Sequence, residues 1–373
     1  MRKKSWYRVQ DETKLFTPSL LLYPDHIRDN IRRMIHLAGN PERLRPHVKT
    51  HKTAEIIRLQ LEMGIGKFKC ATLSELLLLA ENGAVDILLA YPLYGPALAR
   101  FLEYRALYPD SRLSLTVDNL DQIRFFEHLP ELQSPHQPSH ALELFVDLDI
   151  GMQRTGIPPG KAMDLIRTIE KSRSLRFRGL HIYDGHIHQK DLKERTRALD
   201  QDFKAVYDLM EEMQSAGLES GELACGGTPT FPIHARYPER TLCPGTTLLW
   251  DAAYSEHFPD LDFLPAAALA GRVISRAEGT YCLDLGYKAL ASEMPHPRLQ
   301  LLDQGSFEVI SHSEEHLVIR LQDQGQELEN GQLVYALPMH ICPTMALHEK
   351  VYVVRDSALS GTWEVKARKR IYT

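Results

Sequence analysis

The chain has 373 residues, enough for about two domains, because single cores stop growing near about 250–300 residues. Lys plus Arg number 44 against 49 for Asp plus Glu, so the net charge of −5 leaves no cationic excess to hold nucleic acid. Hydrophobic residues at 43 % and charged residues at 25 % match packed domains, and the most apolar runs, Leu76 to Ala80 and Phe263 to Ala270, fall far short of the roughly 20 residues that span a membrane.

The basic start, Met1 to Arg8, runs into Gln10, Asp11 and Glu12 rather than an apolar stretch, so it does not read as a signal peptide and a cytoplasmic location is expected. Five cysteines (Cys70, Cys225, Cys243, Cys282, Cys342) are odd in number and widely spaced, and they read as thiols rather than a disulfide framework. From about residue 18 to 250, short β-rich runs alternate with amphipathic stretches. Ser19 to Tyr23 reads as the first strand, followed by a helix that opens at Pro24, repeats apolar residues at Ile27, Ile31, Met34 and Ile35, and stops at Gly39. Strands are then predicted at 44–49, 68–71, 87–90, 113–117, 142–148, 177–183 and 223–225, with helices at 53–63, 74–82, 96–108, 120–128, 160–172 and 190–216. The Pro-rich stretch near 135 reads as a surface loop.

About eight βα units in this length suit a (β/α)8 TIM barrel. An open dinucleotide-binding sheet would carry G-x-G-x-x-G after its first strand, whereas Tyr23-Pro24-Asp25-His26 has no glycine. After residue 256 the helical patterns vanish and alternating runs appear, including 272–275, 280–285, 307–312, 316–321, 332–337 and 351–355. The expected division is a barrel over 14–255 and a mostly-β domain over 256–373, which residues 1–13 could join.

Several segments carry chemistry. Arg45-Pro46-His47-Val48-Lys49-Thr50-His51-Lys52 sits where a barrel strand ends, the usual place for catalytic groups, and a lysine there could form a Schiff base with a carbonyl compound. Gly226-Gly227-Thr228 and Gly245-Thr246 could turn backbone N–H groups and hydroxyls onto a phosphate. Arg154 could meet an anionic oxygen, Tyr183 could lie against a flat ring, and His186 and His188 are candidates for acid–base work. If 338–343 is extended, His340 and Cys342 share a face, and an imidazole with a thiolate suits zinc. Taken singly, each has a plain structural explanation: a solvated loop, a turn, a buried histidine.

Together, the Lys49 segment, Gly151-Met152-Gln153-Arg154, Gly226-Gly227-Thr228-Pro229, Cys243-Pro244-Gly245-Thr246, Asp284-Leu285-Gly286-Tyr287-Lys288 and His340-Ile341-Cys342 follow a family order. The chain resembles the D-threonine aldolase and D-serine dehydratase group, which shares the alanine-racemase-like fold of a barrel plus a C-terminal β domain. The resemblance implies pyridoxal phosphate bonded to Lys49, with Lys52 as second choice. It implies a phosphate held by Gly226, Gly227, Thr228, Gly245 and Thr246, Tyr183 against the ring, and Arg154 near the 3-oxygen. His340 and Cys342 would bind a divalent metal beside the cofactor, zinc ahead of manganese or magnesium. The implied enzyme is a lyase on β-hydroxy-D-amino acids, yielding glycine plus an aldehyde or a 2-oxo acid plus ammonia. Its partners would be a small amino-acid substrate and a second copy of itself, with no nucleic acid or membrane. An amino-acid racemase and a non-catalytic pyridoxal-phosphate carrier are the alternatives. Two positions depart from the pattern: Cys243 stands where racemases place an arginine, and Cys342 where aldolases of the group tend to carry an aspartate. The second leans towards zinc and dehydratase-like chemistry.

Overall fold

The computed structural model describes residues 5–132, 141–322 and 327–371; the loop expected near 135 lies outside them. The chain forms two compact units, one from Met1–Met34, Thr50–Ile56 and Thr246–Lys369, the other from Ile35–Lys49, Ile57–Gly245 and Arg370–Thr373.

The second unit is built on seven parallel strands arranged in sequence order: Lys67–Cys70, Asp86–Leu89, Arg112–Val117, Leu142–Leu148, Leu175–Ile182, Glu222–Cys225 and Arg240–Leu242. Residues 44–48 supply the eighth stave. Leu44 bridges Leu242 and His47 bridges Lys69, both in parallel, so this segment joins the last strand to the first and closes the barrel. Arg45 N donates to Leu242 O (2.8 Å), Val48 N to Lys69 O (3.0 Å) and Lys69 N to Pro46 O (3.0 Å). Pro46 has no N–H to give a regular ladder, which is why the stave is not a continuous strand.

Helices between the strands start on side-chain caps: Thr72, Asn119 and Asp191 accept from the backbone N–H three residues on. The longest, Leu192–Ser215, buries Leu199, Phe203, Val206, Leu209 and Met213 at helical spacing and is followed by Gly217 at φ +73°. At the start of the strands the buried Arg45 and the partly buried Arg178, with the half-exposed Arg112 beside them, pair with Asp86, Glu143 and Glu222. At their other end stand Lys49, Lys69 and His181. The barrel is therefore knit by ion pairs at its base and leaves its mouth for ligand.

Ser19–Leu22 does not open the barrel, contrary to the sequence reading. It pairs antiparallel with Ala267–Ala277 and parallel with Lys350–Arg355 in the sheet of the other unit. All four of its residues are buried, and a strand covered on both faces reads alike in either sheet. Residues 14–34 and 246–255 accordingly group with the β unit rather than with the barrel. That unit has a nine-stranded sheet. Its order is Phe307–His312, Leu317–Leu321, Thr280–Leu283, Ala267–Ala277, Ser19–Leu22, Lys350–Arg355 and Ala358–Glu364, with Leu333–Pro338 also on Ala267–Ala277 and Leu299–Leu301 beyond it. Tyr7, Leu21, Tyr23, Ala268, Ala270 and Tyr335 centre its core. Among the described residues, no helix is long and apolar enough to cross a membrane.

Candidate active site

Within the barrel unit, a cleft of about 500 Å³ is lined by His47, Lys49, Lys69, Ala71, Ala90, Tyr91, Pro92, Arg154, Thr155, His181 and Tyr183. Its size lies in the range of cofactor sites, about 300–1,000 Å³. Lys49 follows the closing stave, its N–H donating to His47 Nδ1 (3.2 Å), and its side chain is exposed to the cleft. Lys52 is not among the lining residues, and its carbonyl accepts from Ala367 N. Of the two lysines, Lys49, the first choice from sequence, is the one that lines the cleft.

Arg154 is presented by the turn after Leu142–Leu148. Asp149 Oδ1 accepts from Gly151 N and Gln153 N, and Thr155 Oγ1 donates to Asp147 Oδ2 (2.9 Å). The guanidinium carbon of Arg154 lies 5.0 Å from the Tyr183 ring centre, and Lys49 Nζ lies 6.0 Å from it. Gly227 lies against Tyr183: a Cβ there would come within 3.2 Å of the tyrosine Cε2. Gly226 has φ +74°, and a Cβ on it would meet His234 Cδ2 at 2.6 Å, so this turn accepts only glycine. Thr228 Oγ1 accepts from Gly245 N (3.0 Å), joining the two glycine segments, and Thr246 is buried. A lysine beside a flat ring, a cation for an anionic oxygen and a glycine cradle behind the ring fit pyridoxal phosphate.

His186 takes a different position. It does not line the cleft; its Nε2 pairs with Asp202 (2.9 Å) and it packs against Gly151. His188 is exposed and is not among the lining residues.

Two groups escaped the sequence reading. Asp184 Oδ1 accepts from Thr230, its Oδ2 pairs with His234 Nε2 (2.7 Å), and Arg240 donates to His234 Nδ1 (2.8 Å), bracing the glycine turn from beneath. Lys69 is 3 % exposed and crosses the barrel mouth to His181 Nε2 (3.3 Å), while His181 Nδ1 meets Asp147 Oδ1 at 2.6 Å. Burial, then the neighbouring Lys69, holds His181 below its ordinary value. Burial opposes the charge on Asp147, yet His181, Thr155 and Lys69 bring it below the usual carboxylate range. The His-Ile-Tyr run at 181–183 was the available signal for His181; nothing local marks Lys69.

In the β unit, residues 338–343 are not extended throughout, the condition on which the shared face of His340 and Cys342 depended. Helix Ile341–Leu347 starts there with His340 as its N-cap, and Cys342 lies in the first turn. The cap geometry, rather than strand alternation, brings the two side chains into hydrogen-bonding contact. His340 Nδ1 pairs with Glu293 (2.6 Å), a carboxylate–histidine arrangement that orients the ring for a metal on Nε2. Burial disfavours a charged His340, but Cys342, Glu293 and Asp251 push it up to about 9. Asp251 accepts from Ile341 N (3.0 Å), and burial raises it to about 6. Cys342 Sγ lies 3.2 Å from Thr50 Oγ1 and 3.9 Å from Thr246 Oγ1, the residues that follow Lys49 and Gly245 in the chain. No group of three His, Cys, Asp or Glu side chains converges among the described residues. The imidazole and thiol alone fit a zinc-type ion with its other positions open to water and substrate.

The model of the alanine racemase N-terminal domain family matches residues 23–251. This chain belongs to that family. A serine dehydratase domain model matches residues 266–354 of the same family member. It is 27 % identical over 359 residues to D-threonine aldolase from Arthrobacter sp, covering 94 % of this chain and 92 % of that one. It is 31 % identical over 405 residues to D-serine dehydratase from Schizosaccharomyces pombe, covering 93 % and 90 %. The crystal structure of D-threonine aldolase from Filomicrobium marinum superposes with a TM-score of 0.86 at 26 % identity over 95 % of this chain and 96 % of that one. Within the alanine-racemase-like family, the chain is an enzyme of the pyridoxal-phosphate lyase kind.

Proposed function

We propose that this lyase splits β-hydroxy-D-amino acids with the help of a divalent metal. The observation that carries the reading is the meeting of Lys49, Arg154 and Tyr183 at one cleft, in a chain that also pairs His340 with Cys342. Pyridoxal phosphate, when bound, supplies an electron sink for the pair left at the substrate Cα. Lys49 would hold it covalently, Gly226, Gly227, Thr228, Gly245 and Thr246 would hold its phosphate, Tyr183 would support the ring and Arg154 would balance its anionic oxygen. His340 and Cys342 would hold the metal, zinc before manganese or magnesium, where a Lewis acid can take the substrate's β-hydroxyl.

With the cofactor bound, Lys49 Nζ would be the cleft amine placed to move a proton at the substrate Cα, while Lys69 Nζ is engaged by His181. Removing the Cα proton and losing the β-hydroxyl as water, followed by hydrolysis of the C–N bond by water, would give a 2-oxo acid and ammonia. Taking the hydroxyl proton instead breaks Cα–Cβ and gives glycine and an aldehyde. The thiol at Cys342 favours elimination; the likeness to the Filomicrobium marinum aldolase favours aldol cleavage as the second reading. A racemase is disfavoured because the buried Cys243, a side chain that carries no positive charge, stands where racemases place an arginine. His186 enters as a positioning residue under the turn that presents Arg154. The functional division near residue 255 is supported by the limits of the two family models, 23–251 and 266–354. A homodimer, by resemblance, and the cytoplasmic address expected above complete the reading.

The test is to supply D-serine and D-threonine with zinc or manganese and to assay keto acid, glycine and aldehyde. Lys49→Ala is expected to lose the visible cofactor band and both activities, whereas Lys52→Ala keeps them. Cα-proton exchange with inversion and no cleavage product would overturn the lyase reading.

A further inference from the structure

Lys69 has no place in the assignment above, yet it is the most deeply buried cation of the cleft. A buried ammonium is costly unless its N–H groups are taken up. One of them is taken up by an imidazole, His181 Nε2, at 3.3 Å. That bond requires a lone pair on Nε2, and Asp147 provides for it by accepting the Nδ1–H at 2.6 Å, which fixes the neutral tautomer. Burial and Lys69 itself hold His181 below its ordinary value, in keeping with a neutral ring. The pair Asp147–His181 therefore aims a charged lysine without neutralising it at the contact atom. Lys69 Nζ lies 5.4 Å from the Tyr183 ring centre, so with Lys49 and Arg154 it makes three cations around one aromatic ring. No carboxylate stands among the described residues that line the cleft. Such a site is built for an anion, and attachment of a carbonyl compound to Lys49 would leave Lys69 and Arg154 as its fixed charges.

We propose that Lys69 Nζ, aimed by Asp147 and His181, binds an anionic oxygen of the molecule seated in the cleft. Two oxygens share that chemistry: the phenolate of pyridoxal phosphate and the carboxylate of the amino-acid substrate. Only this naming rests on the lyase reading; the charged anchor rests on the geometry of the cleft.

The experiment compares wild type, Lys69→Met, Lys69→Arg and His181→Gln as purified holoenzymes, each checked for folding by circular dichroism. Two quantities are read: the pH titration of the visible cofactor band, and KM and kcat for D-serine and D-threonine. If the oxygen is the cofactor's, Lys69→Met raises the midpoint of the band's titration by about one to three pH units, because an opposite charge has been removed. If it is the substrate's, the band is unchanged and KM rises about ten- to a hundredfold with a smaller change in kcat, the usual loss for a charged hydrogen bond. In either case Lys69→Arg recovers part of the shift, and His181→Gln, which releases the lysine from its pin, moves the same quantity in the same direction by less. A folded Lys69→Met protein whose titration and KM both match wild type overturns the proposal. The lyase reading fails separately, through a wild type that binds the cofactor but releases no product, and the band titration then still decides the role of Lys69.

Discussion

Arg45→Met tests the ion cluster at the base of the barrel. The Arg45 side chain is fully buried, its Nε and Nη2 bind the two oxygens of Glu222 at 2.9 Å, and Nη1 binds Asp86 at 2.8 Å. Arg178 also reaches Asp86 (2.7 Å), Glu143 (3.0 Å) and Glu222 (3.1 Å), and Arg112 binds Glu143, so three guanidinium groups balance three carboxylates. Removing Arg45 leaves one buried carboxylate charge without its cation. Breaking a buried pair costs about 3–5 kcal/mol. Because Arg178 still touches both orphaned carboxylates, the low end, about 3 kcal/mol, is expected, or about 6–12 °C in thermal midpoint. Thermal unfolding followed by near-ultraviolet circular dichroism reads it. The double variant Arg45→Met with Glu222→Gln restores the charge count and should regain more than half of the loss. A single variant within about 2 °C of wild type, equivalent to less than about 1 kcal/mol, or a double variant less stable than the single, would refute the charge argument and leave packing as the source of the effect.

Three further outcomes are expected. Burial, then the charge of Lys52, lowers His51 to about 3, so the folded chain keeps it neutral where the unfolded chain is protonated; its stabilisation is complete above about pH 6.5 and is lost as pH falls towards 3. His51→Gln should flatten the acid limb of the stability–pH curve by about 1.4 kcal/mol per pH unit in that window, and an unchanged slope would contradict the assignment. Gly226→Ala forces a left-handed alanine, at about 1–2 kcal/mol, against the His234 ring, so cofactor retention through dialysis should drop about tenfold or more while the barrel still folds. Cys342→Ser replaces a soft donor with a poor one; bound metal measured by atomic absorption should fall below half of wild type while the visible cofactor band persists.

Much of the barrel was legible because its helices and strands are set by local spacing. The run Leu142–Leu148 and the helix over 192–215 are each fixed by their own apolar period. What local pattern does not carry is the identity of a partner. Ser19–Leu22 has the same four apolar-facing positions whether its neighbours come from a barrel or from Ala267–Ala277. Arg240–Leu242 has only three residues between Pro238 and Pro244, too few for a period to show. Lys69 alternates with Phe68 as a solvent-facing residue would, and only the curvature of the closed barrel turns it inward towards His181. Lys49, Arg154 and Tyr183 could be proposed from sequence because each follows a strand; Asp184, His234 and Arg240 could not, because their common work begins only when the strands stand side by side.

The pairing of Ser19–Leu22 also governs the order in which the polypeptide can acquire its shape during synthesis. Leu21 precedes every barrel strand in the chain, yet its neighbours in the sheet are Ala268 and Tyr352. A nascent chain long enough to contain all the barrel strands still holds an apolar strand with both edges open. Cutting the chain near residue 255 would make that condition permanent, and the fragment carrying the barrel would be prone to associate through it.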